Sequence, residues 1–425
     1  MIRHLYSIIL IIISPIILLR LYIRGFGLPA YRLRIKERFG KYCFPVNFDR
    51  KKTTILIHAV SVGEVVAAEP LIKELIARHP EYQIFITTMT PTGSAQAQAL
   101  FSNEIFHCYL PYDFPLVMYK FIKKMNPSLL IIMETELWPN LINACKKLNI
   151  RLVLANARLS KKSAEGYARV YRLTKDMLRK IDVIAAQSEA DAKRIISLGA
   201  EPSDTFIVGN LKFNVGHNFQ EDLGCPLFSQ IENSGRNVII AASTRKGEER
   251  KILDAIKIVQ KVIPSVLLII VPRHPERFDS VYDLVKREGF TCLRRSTGKI
   301  FSEETQVVVG DSMGELNTYY SISHIAFVGG SLVDAGCQNI LEPAALSLPI
   351  VVGPSQYNFA SICENLKVKG GLITVRDEKE LAVESLKLIQ DKSLRSTMGA
   401  IALAEFNANQ EALPKLLEII ERQLN

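Results

Sequence analysis

The first residue that could do acid–base chemistry is Glu64, in the segment HAVSVGE (residues 58–64). A β-branched run precedes it and apolar residues at helical spacing follow it, so the segment predicts a turn from a strand into a helix. A carboxylate at such a turn, beside Ser61 and Gly63, can act as a general base. The spacing Ser61-x-x-Glu64 equally fits a capping box, in which Glu64 only satisfies a backbone N–H. The residues alone leave both interpretations open.

Two further carboxylates, Glu134 and Glu136, follow the most hydrophobic strand candidate in METELWPN (residues 133–140), which holds the only tryptophan of the chain. Two acids two positions apart at the end of a strand are unusual for a purely structural role. With Ser61, Gly63 and Arg158 they form a possible acceptor or structural site. In the structural alternative they cap the next helix and meet a nearby arginine. Arg158 in NARLS (residues 156–160) is the candidate for that partner, and both interpretations stay open.

Two loops in the second half of the chain suit an anionic ligand that carries phosphate. In STRKGEE (residues 243–249), Ser243 and Thr244 would present hydroxyls at the start of a helix. In PRHPER (residues 272–277), Arg273 would follow the next strand. A lone arginine after a strand is more often a surface residue, but two such loops after adjacent strands favour phosphate binding.

Two later motifs could complete the same site. In GDSMGEL (residues 310–316), glycine allows the backbone to approach a ligand closely. In NILEPAA (residues 339–345), Asn339 and Glu342 fit the start of a helix, where Glu342 either caps the helix or accepts the two hydroxyls of a ribose. The candidate ligand contacts in these motifs are Met313, Gly314, Glu315, Asn339 and Glu342.

Several motifs of nucleotide and metal chemistry are missing from the sequence. There is no G-x-x-x-x-G-K-[ST], no G-x-G-x-x-G after the first strand candidate, no Asp-x-Asp and no His/Cys cluster with metal spacing. The sequence therefore predicts that the protein has no metal site. It also predicts that the reaction needs neither a metal nor a bound cofactor.

These motifs must be positioned by strands, because short β-branched runs alternate with helical patterns after residue 52, as in parallel βαβ units. The first series predicts strands at Thr54–His58, Gln83–Thr88, Phe106–Leu110, Leu129–Met133, Arg151–Ala155, Val183–Ala186 and Thr205–Val208. The second series predicts strands at Val238–Ala241, Val266–Val271, Gln306–Val309, His324–Val328, Ile350–Val352 and Leu372–Thr374. The pattern indicates an α/β protein with two Rossmann-like, doubly wound domains that face a crevice, where ligands bind beyond the carboxyl ends of the strands.

The composition shifts along the chain predict five segments. We expect a membrane anchor over residues 1–22, a first domain over 23–211, a linker over 212–236, a second domain over 237–405 and a C-terminal helix over 406–425. The C-terminal helix is amphipathic and could pack back on the first domain.

The charge and cysteine content of the 425 residues narrow the class of protein. A formal net charge of +10 suggests an anionic partner, which could be phospholipid head groups, a phosphorylated substrate or nucleic acid. The seven cysteines are scattered and form no C-x-x-C pair, so we expect a reducing compartment and no disulfide framework. An apolar content of 48% argues against disorder.

The N-terminal segment Leu5–Leu19 is almost continuously apolar. Its length is slightly short of a full membrane span, and no small-x-small cleavage site follows it. A cleavable signal peptide and a buried core helix are the alternatives to an uncleaved anchor. The segment is followed by Arg20, Arg24, Arg32, Arg34, Lys36, Arg38 and Lys41. Such a basic flank predicts retention on the cytoplasmic side and contact with anionic lipid.

The ordered set of motifs in this chain resembles that of the bacterial Kdo transferase family, and the likeness covers essentially the whole chain after residue 25. The motifs are HAVSVGE, METELWPN, NARLS, ASTRKGEE, PRHPER, DSMGEL and GGSL…NILEPAA. The resemblance implies the two-domain B-type glycosyltransferase fold and metal-free, inverting transfer of Kdo from CMP-Kdo to a lipid A precursor, lipid IVA. It also implies a place at the cytoplasmic face of the bacterial inner membrane. CMP-Kdo would then be a substrate with no cofactor needed, the membrane partners would be anionic lipids, and no nucleic acid would be bound.

The resemblance also assigns roles to residues. Glu64 would be the general base, Arg273 would bind the CMP phosphate and Glu342 the ribose. The remaining donor contacts it implies are Ser243, Thr244, Met313, Gly314, Glu315 and Asn339.

The chain departs from the family at two donor positions. Arg245 stands where the family usually has histidine, and Gln338 stands at the histidine of its GGHNPLEP motif. Gln338 cannot carry a proton as histidine can, whereas Arg245 can partly supply positive charge.

Two alternatives of other classes remain at the level of sequence. A nucleotide-sugar epimerase on the same fold would need no anchor. A non-catalytic protein of the membrane surface would use Glu64 only as a helix cap.

Overall fold

The computed structural model describes residues 2–214, 226–298 and 301–424. The chain forms two compact units, Met1–Gly216 with Asn409–Asn425, and His217–Ala408. Part of the expected linker over 212–236, namely residues 215–225, lies outside the described residues. Residues 226–233 of the same range form a helix whose Leu227, Phe228 and Ile231 are buried in the core of the second unit.

The first unit is built on a parallel seven-stranded sheet in the order β3-β2-β1-β4-β5-β6-β7. Its strands are β1 (Thr54–His58), β2 (Gln83–Thr88), β3 (Phe106–Tyr109), β4 (Leu129–Met133), β5 (Arg151–Ala157), β6 (Val183–Ala186) and β7 (Thr205–Ile207). All seven lie where the sequence predicts strands. The two middle strands β1 and β4 are adjacent, with Ile55 opposite Leu129 and His58 opposite Ile132.

The second unit has a parallel seven-stranded sheet in the order β10-β11-β9-β8-β12-β13-β14. Its strands are β8 (Val238–Thr244), β9 (Leu267–Pro272), β10 (Cys292–Arg294), β11 (Val307–Val309), β12 (Ile325–Val328), β13 (Ile350–Val352) and β14 (Leu372–Thr374). The sequence predicted six of these and missed β10. The predicted class, an α/β protein with two doubly wound parallel sheets, is confirmed.

Helices cover the sheets, as parallel strands require. They are α1 (Ile2–Gly27), α2 (Val62–Arg78), α3 (Pro91–Phe101), α4 (Pro115–Met125), α5 (Pro139–Lys147), α6 (Lys161–Arg169), α7 (Tyr171–Leu178), α8 (Glu189–Ser197), α9 (Pro226–Asn233), α10 (Glu248–Val262), α11 (Phe278–Arg287), α12 (Leu316–Ser321), α13 (Leu341–Ala345), α14 (Ala360–Lys369), α15 (Glu378–Gln390), α16 (Lys392–Ala408) and α17 (Ala412–Leu424).

The first sheet has a core on each face. Along β1, Leu56 belongs to one apolar cluster while Ile55 and Ile57 belong to the other, so the strand is buried on both faces. Leu416 and Ile420 of α17 are buried in the same cluster as Ile55. The last helix of the chain therefore completes the core of the first unit.

The apolar N-terminal helix α1 is the one helix among residues 2–214, 226–298 and 301–424 that is long and apolar enough to cross a membrane. Most of its large side chains are exposed, so it is not a core helix of the first unit. This composition is compatible with a membrane anchor, although a signal sequence would share it.

The basic flank of α1 does not act as one lipid-facing run, which corrects the sequence-based expectation. Arg38 is buried, donates to the Met89 carbonyl at 3.0 Å and stacks on the ring of Tyr109. Arg34 forms a two-pronged ion pair with Glu37. Exposed cations remain at Arg20, Arg24, Lys36 and Lys41.

Candidate active site

Glu64 lies in the first turn of α2, directly beyond the carboxyl end of the central strand β1. Its carboxylate accepts the Val60 N–H at 2.8 Å and the Ser61 hydroxyl at 2.9 Å. The Ser61 side chain accepts no capping hydrogen bond from the helix. The reciprocal capping box, one of the two interpretations that the residues left open, is thus not formed: Glu64 accepts the N–H of Val60, and the Ser61 hydroxyl donates to Glu64.

The environment of Glu64 raises its pKa to about 8. Burial is the largest cause, and the negative charges of Glu136 and Glu134 add to it. The hydrogen bonds from Val60 and Ser61 favour the ionised form and oppose the rise. Glu64 is therefore a carboxylate that changes its protonation state near neutral pH, as a general base should.

The two acids after β4 lie close enough to Glu64 to act on it through charge. Glu136 accepts the indole N–H of Trp138 at 3.1 Å, and burial raises its own pKa. Glu134 has a left-handed backbone with φ 53° and pairs with Lys212 at 3.5 Å. In the part of the chain that the structure describes, no group of three or more His, Cys, Asp or Glu side chains could hold a metal ion. Both acids act on Glu64 as neighbouring charges.

Arg158, the candidate partner in the structural alternative, makes no ion pair with these acids among the described residues. Arg158 contributes its backbone carbonyl, which accepts the Thr135 hydroxyl, whereas the ion pair of Glu134 is made by Lys212. Lys212 follows β7 and stands in the range assigned to the linker. Its only signal in the sequence is a lysine shortly after a strand.

Gly63 and Gly93 shape the turn beside Glu64. A Cβ on Gly93 would lie 3.4 Å from the Val60 carbonyl oxygen, so glycine allows α3 to approach this turn closely. A Cβ on Gly63 would meet nothing nearer than the Ser61 hydroxyl at 4.0 Å. The fold therefore does not require glycine at 63, and the space beside it is open.

His58, at the end of β1, is a structural residue. It is fully buried, its Nδ1 lies 3.0 Å from the Thr87 hydroxyl, and burial lowers its pKa to about 4. It is therefore neutral at physiological pH, which leaves Glu64 as the titrating group of this turn.

In the second unit, Thr244 at the end of β8 contacts the start of α10 and the loop after β9. The Thr244 hydroxyl is buried and donates to Glu249 at 3.0 Å, and Glu249 also pairs with Arg277. The Thr244 carbonyl accepts the Arg273 N–H at 3.1 Å. Thr244 is thus turned inward and positions the two loops, whereas Ser243, with φ 54°, lies where the pairing of β8 with β9 shifts register.

Glu248 is a second buried acid that sequence reasoning missed as a functional element. Its carboxylate accepts the Gly330 N–H at 2.6 and 2.8 Å, and burial raises its pKa to about 8. A Cβ on Gly329 would lie 2.7 Å from the Ser243 carbonyl oxygen. The loop after β12 is therefore clamped against the loop after β8.

Arg273 and Glu342 are brought together by the fold of the second unit. Arg273 is exposed after β9, and its charge acts on the Glu342 carboxyl. Burial raises the pKa of Glu342, and the hydrogen bond from Asn339 at 3.1 Å and the charge of Arg273 oppose the rise. Among the described atoms, Glu342 Oε2 is buried without a hydrogen-bond partner. An unsatisfied buried carboxylate oxygen can accept a hydroxyl from a ligand.

Asn339 has a role of its own before α13. Its side-chain oxygen accepts the Leu341 N–H at 3.0 Å while its amide donates to Glu342. Asn339 therefore accepts the backbone N–H at the start of the helix, and the Glu342 carboxylate accepts only the Asn339 amide among the described hydrogen bonds.

The turn before α12 presents Met313 and Gly314. Met313 is 62% exposed, and Gly314 has φ 84° with open space around it. Glu315 is occupied by Arg295 and the Ser312 hydroxyl. The exposed part of this turn therefore consists of Met313 and Gly314, with Glu315 holding it in place.

The two departures from the family motifs lie in the same unit. Arg245 Nη1 lies 2.5 Å from His274 Nε2, next to the Arg273 loop. The Gln338 amide turns back onto the Gly336 carbonyl at 3.2 Å. Arg245 therefore adds positive charge beside Arg273, and Gln338 holds its own loop.

Comparison with known proteins assigns the chain to a family. Residues 33–215 match the family described as 3-Deoxy-D-manno-octulosonic-acid transferase (kdotransferase), and residues 229–404 match Glycosyl transferases group 1. A 3-deoxy-D-manno-octulosonic acid transferase of Haemophilus influenzae is 41% identical over 429 residues, which cover 99% of each chain. One of Bordetella pertussis is 31% identical over 377 residues, which cover 86% of each chain.

Solved structures share the fold at low identity. The UDP-GlcNAc 2-epimerase of Neisseria meningitidis has a TM-score of 0.56 at 15% identity, covering 87% of this chain and all (100%) of that chain. Such a likeness shows the fold alone, so the sequence relatives decide between an epimerase and a transferase. The chain therefore belongs to the 3-deoxy-D-manno-octulosonic acid (Kdo) transferases and is a glycosyltransferase.

Proposed function

We propose that this enzyme transfers Kdo from CMP-Kdo to a hydroxyl of a lipid A precursor, lipid IVA, with inversion at the anomeric carbon and without a metal. The observation that carries the proposal is Glu64, a buried carboxylate beyond β1 whose pKa is raised to about 8. A group with that pKa and an open space beside Gly63 is suited to take a proton from an alcohol.

The reaction is a single displacement. The acceptor oxygen forms a bond to the anomeric carbon of Kdo while the bond from that carbon to the phosphate oxygen of CMP breaks. The hydroxyl proton passes to Glu64, and the electron pair leaves with CMP. One displacement inverts the anomeric centre, and no covalent enzyme intermediate is required.

The donor side is supported by Arg273 and Glu342. Arg273 is exposed beyond β9 and can neutralise the CMP phosphate as it departs. Glu342 has a buried oxygen without a partner among the described atoms and can accept the ribose hydroxyls. Ser243, Met313 and Gly314 would complete the donor contacts, while Thr244, Glu315 and Asn339 hold the loops.

Metal independence is supported by the chemistry of these residues. The sequence has no Asp-x-Asp pair, and the phosphate of CMP would meet a guanidinium that can stabilise its charge directly. No cofactor is needed because the sugar arrives already activated by its bond to CMP. Nucleic acid is not expected as a partner, because we assign Arg273 to the phosphate of CMP.

The site of action would be the cytoplasmic face of the bacterial inner membrane. The apolar side chains of α1 are exposed, and Arg20, Arg24, Lys36 and Lys41 are exposed beside them. Apolar surface flanked by cations attaches to membranes that contain anionic lipids. Such attachment would bring the enzyme to a lipid acceptor.

The test is to incubate the detergent-purified enzyme with CMP-Kdo and tetra-acylated lipid A precursor, and to measure CMP release and lipid mass together. We expect stoichiometric CMP release and a heavier lipid, undiminished by EDTA, with an inverted anomeric configuration by NMR. CMP release without a heavier lipid would indicate hydrolysis. An altered nucleotide sugar without CMP release would indicate epimerase chemistry, and no turnover at all would indicate a binding protein.

A further inference from the structure

We propose that α1 lies along one leaflet of the membrane with both of its ends on the side of the catalytic units, instead of crossing the bilayer. The proposal rests on the membrane attachment proposed above and specifies its geometry. The occupant of the exposed apolar face of α1 is then a single leaflet that contains anionic lipids.

The N-terminal end of α1 is held by a polar network on the first unit. Arg3 Nη1 donates to the Asn140 side-chain oxygen at 2.7 Å, and Ser7 exchanges hydrogen bonds with the same amide at 3.1 and 3.3 Å. Asn140 in turn donates its side-chain and backbone N–H groups to Asp113 at 2.6 and 2.9 Å. Ser7, Asn140 and Asp113 are all buried, so this contact is part of the packed structure.

The charge of Arg3, at the N-terminal end of α1, acts on the carboxyl of Asp113. Burial raises the pKa of Asp113 to about 7, and the hydrogen bonds from Asn140 and Leu141 and the charge of Arg3 oppose the rise. Ile2 also packs against the apolar cluster under α5. Removing Arg3 from this place would leave the acid more poorly compensated.

The C-terminal end of α1 packs against the segment that directly follows it in the chain. Leu21 and Gly25 are buried. The guanidinium of Arg32 lies over the rings of Tyr22 and Phe26 at 4.3 and 4.2 Å. A Cβ on Gly25 would come within 2.4 Å of the Arg32 side chain, so glycine permits this approach. The chain then continues directly to Arg38, which is buried against Tyr109.

The length of α1 determines where its two ends would lie if the helix crossed the membrane. Arg3 and Gly25 are separated by about 33 Å of helix at a rise of about 1.5 Å per residue, which is close to the thickness of a hydrocarbon core. A spanning helix would place its two ends on opposite faces of the bilayer. The C-terminal end lies on the side of the first unit in either arrangement, because the unit follows it in the chain. The contact of the N-terminal end decides between them, since a spanning arrangement would break the network of Arg3, Ser7 and Asn140.

The faces of α1 agree with an in-plane arrangement. The less exposed positions recur every three or four residues, which is one side of a helix. They are Arg3, Ser7, Leu10, Ser14, Ile17, Leu21 and Gly25. The opposite side is apolar and exposed, with Ile8, Ile12, Ile16, Leu19, Ile23 and Phe26. The less exposed side carries the serines Ser7 and Ser14 among its residues, and the large exposed apolar side chains are the part that a leaflet would cover.

Charge supports the same arrangement and identifies the lipid. Arg3, His4, Arg172 and Lys180 line a cavity of about 370 Å³ at the N-terminal end of α1, with Asp176 as the acid among the lining residues. Arg20 and Arg24 are exposed toward the other end. Cations are retained on the cytoplasmic side of membranes, so the cations of both ends are most stable on that one side. They complement the charge of anionic head groups there.

Single-cysteine labelling tests the topology in the full-length protein. In a background with Cys43, Cys225 and Cys292 replaced by serine, His4→Cys reports the start of α1 and Ser203→Cys reports the first unit. Both are treated with a membrane-impermeant maleimide in sealed inside-out vesicles and in spheroplasts. We expect both positions to react in inside-out vesicles and neither in spheroplasts. Reaction of His4→Cys from the outside, with Ser203→Cys reactive only from the inside, would overturn the proposal.

Depth measurements give an independent reading that does not depend on reagent access. Spin labels at Ile8, Ile12, Ile16 and Ile23 are measured by power saturation in vesicles of phosphatidylethanolamine and phosphatidylglycerol. An in-plane helix places all four at depths within about 5 Å, whereas a spanning helix places Ile12 about 15 Å deeper than Ile23. Failure of the wild-type protein to bind these vesicles at all would instead refute the proposed membrane attachment.

Discussion

The hydroxyl of Ser61 donates to the carboxylate of Glu64 at 2.9 Å. In a capping box the serine side chain would accept a backbone N–H of the helix, and here it accepts none. The bond instead favours the ionised form of Glu64, against the burial that raises its pKa. Ser61 is therefore a positioning residue that keeps the proposed base able to lose its proton.

Replacing Ser61 by alanine should raise the pKa of Glu64 further, because one of the bonds that favour its ionised form is lost. A hydrogen bond to a charged group contributes about 1.5 kcal/mol, which corresponds to about one pKa unit. The acidic limb of the kcat/KM profile should therefore move upward by about one pH unit. Ser203→Ala, at an exposed position, is the control. An unchanged limb would mean that Ser61 does not act on Glu64.

Glu64→Gln should lower kcat by about 100-fold or more, because the amide cannot accept the acceptor proton. Glutamine can still accept the Val60 N–H, so folding and CMP binding should be kept. Glu74→Gln on the exposed side of α2 is the matched control, since its ion pair with Arg78 contributes about 0.5 kcal/mol or less. CMP formation and circular dichroism are measured for both variants. Turnover of Glu64→Gln close to that of the wild type would return Glu64 to a structural role.

The rate should rise with pH. The active form of Glu64 is ionised and its pKa is about 8, so kcat/KM should increase from pH 6 and level off above pH 8 to 9. A pH profile with detergent-dispersed acceptor checks this. A flat profile between pH 6 and 9 would contradict the assignment of Glu64 as the base.

The same pKa has a consequence for stability. A carboxyl whose pKa is higher in the folded state than in the unfolded state stabilises the fold at low pH, and that stabilisation is lost as pH rises from about 4.5 through about 8. The Tm of the wild type should therefore fall over this window more than the Tm of Glu64→Gln. Calorimetry at pH 5 and pH 8.5 gives the comparison, and equal falls would show that Glu64 is not buried in the way described.

The sequence predicted the strands well because both sheets are parallel and covered on both faces, so most of the strands contain a short run of apolar residues. Strand β10 was not predicted because only Leu293 of its three residues is buried, so the sequence has no apolar run there. The position of Glu64 could be predicted because it follows a strand by a short turn. Its pKa could not, because it depends on burial and on the charges of Glu134 and Glu136, which the fold brings from another strand.

Contacts between distant segments were the least predictable part of the site. The pairing of Glu134 with Lys212 joins the ends of β4 and β7, which are separated by two strands in the sheet. Likewise, composition shows that residues 20–41 are basic, but it does not show that Arg38 is buried. The Thr244 hydroxyl follows a left-handed residue, Ser243, at a register shift in β8, which no motif encodes.

Arg273→Ala should weaken binding of CMP far more than binding of cytidine, because only the phosphate contact is lost. We expect about a tenfold or greater rise in the Kd for CMP and little change for cytidine, measured by calorimetry. Arg287→Ala on α11 is the control, since its guanidinium bonds only to the nearby Asp283 carbonyl among the described contacts. Equal losses for CMP and cytidine would assign Arg273 to the fold of the loop.

Deletion of residues 1–22 should leave CMP binding unchanged, because the proposed CMP contacts lie in the second unit. It removes the contacts of Arg3 and Ser7 with Asn140, so the Tm of the first unit should fall.

The same deletion should reduce transfer to acceptor embedded in bilayers, and the loss should shrink in detergent, where confinement to a surface no longer raises the effective concentration. Exposed Arg24, Lys36 and Lys41 remain in the shortened chain. Residual binding to anionic vesicles should therefore persist and weaken at high salt. Co-sedimentation and transfer rates are measured for both proteins at low and high ionic strength. Identical rates and sedimentation on bilayers would show that α1 is not a membrane element.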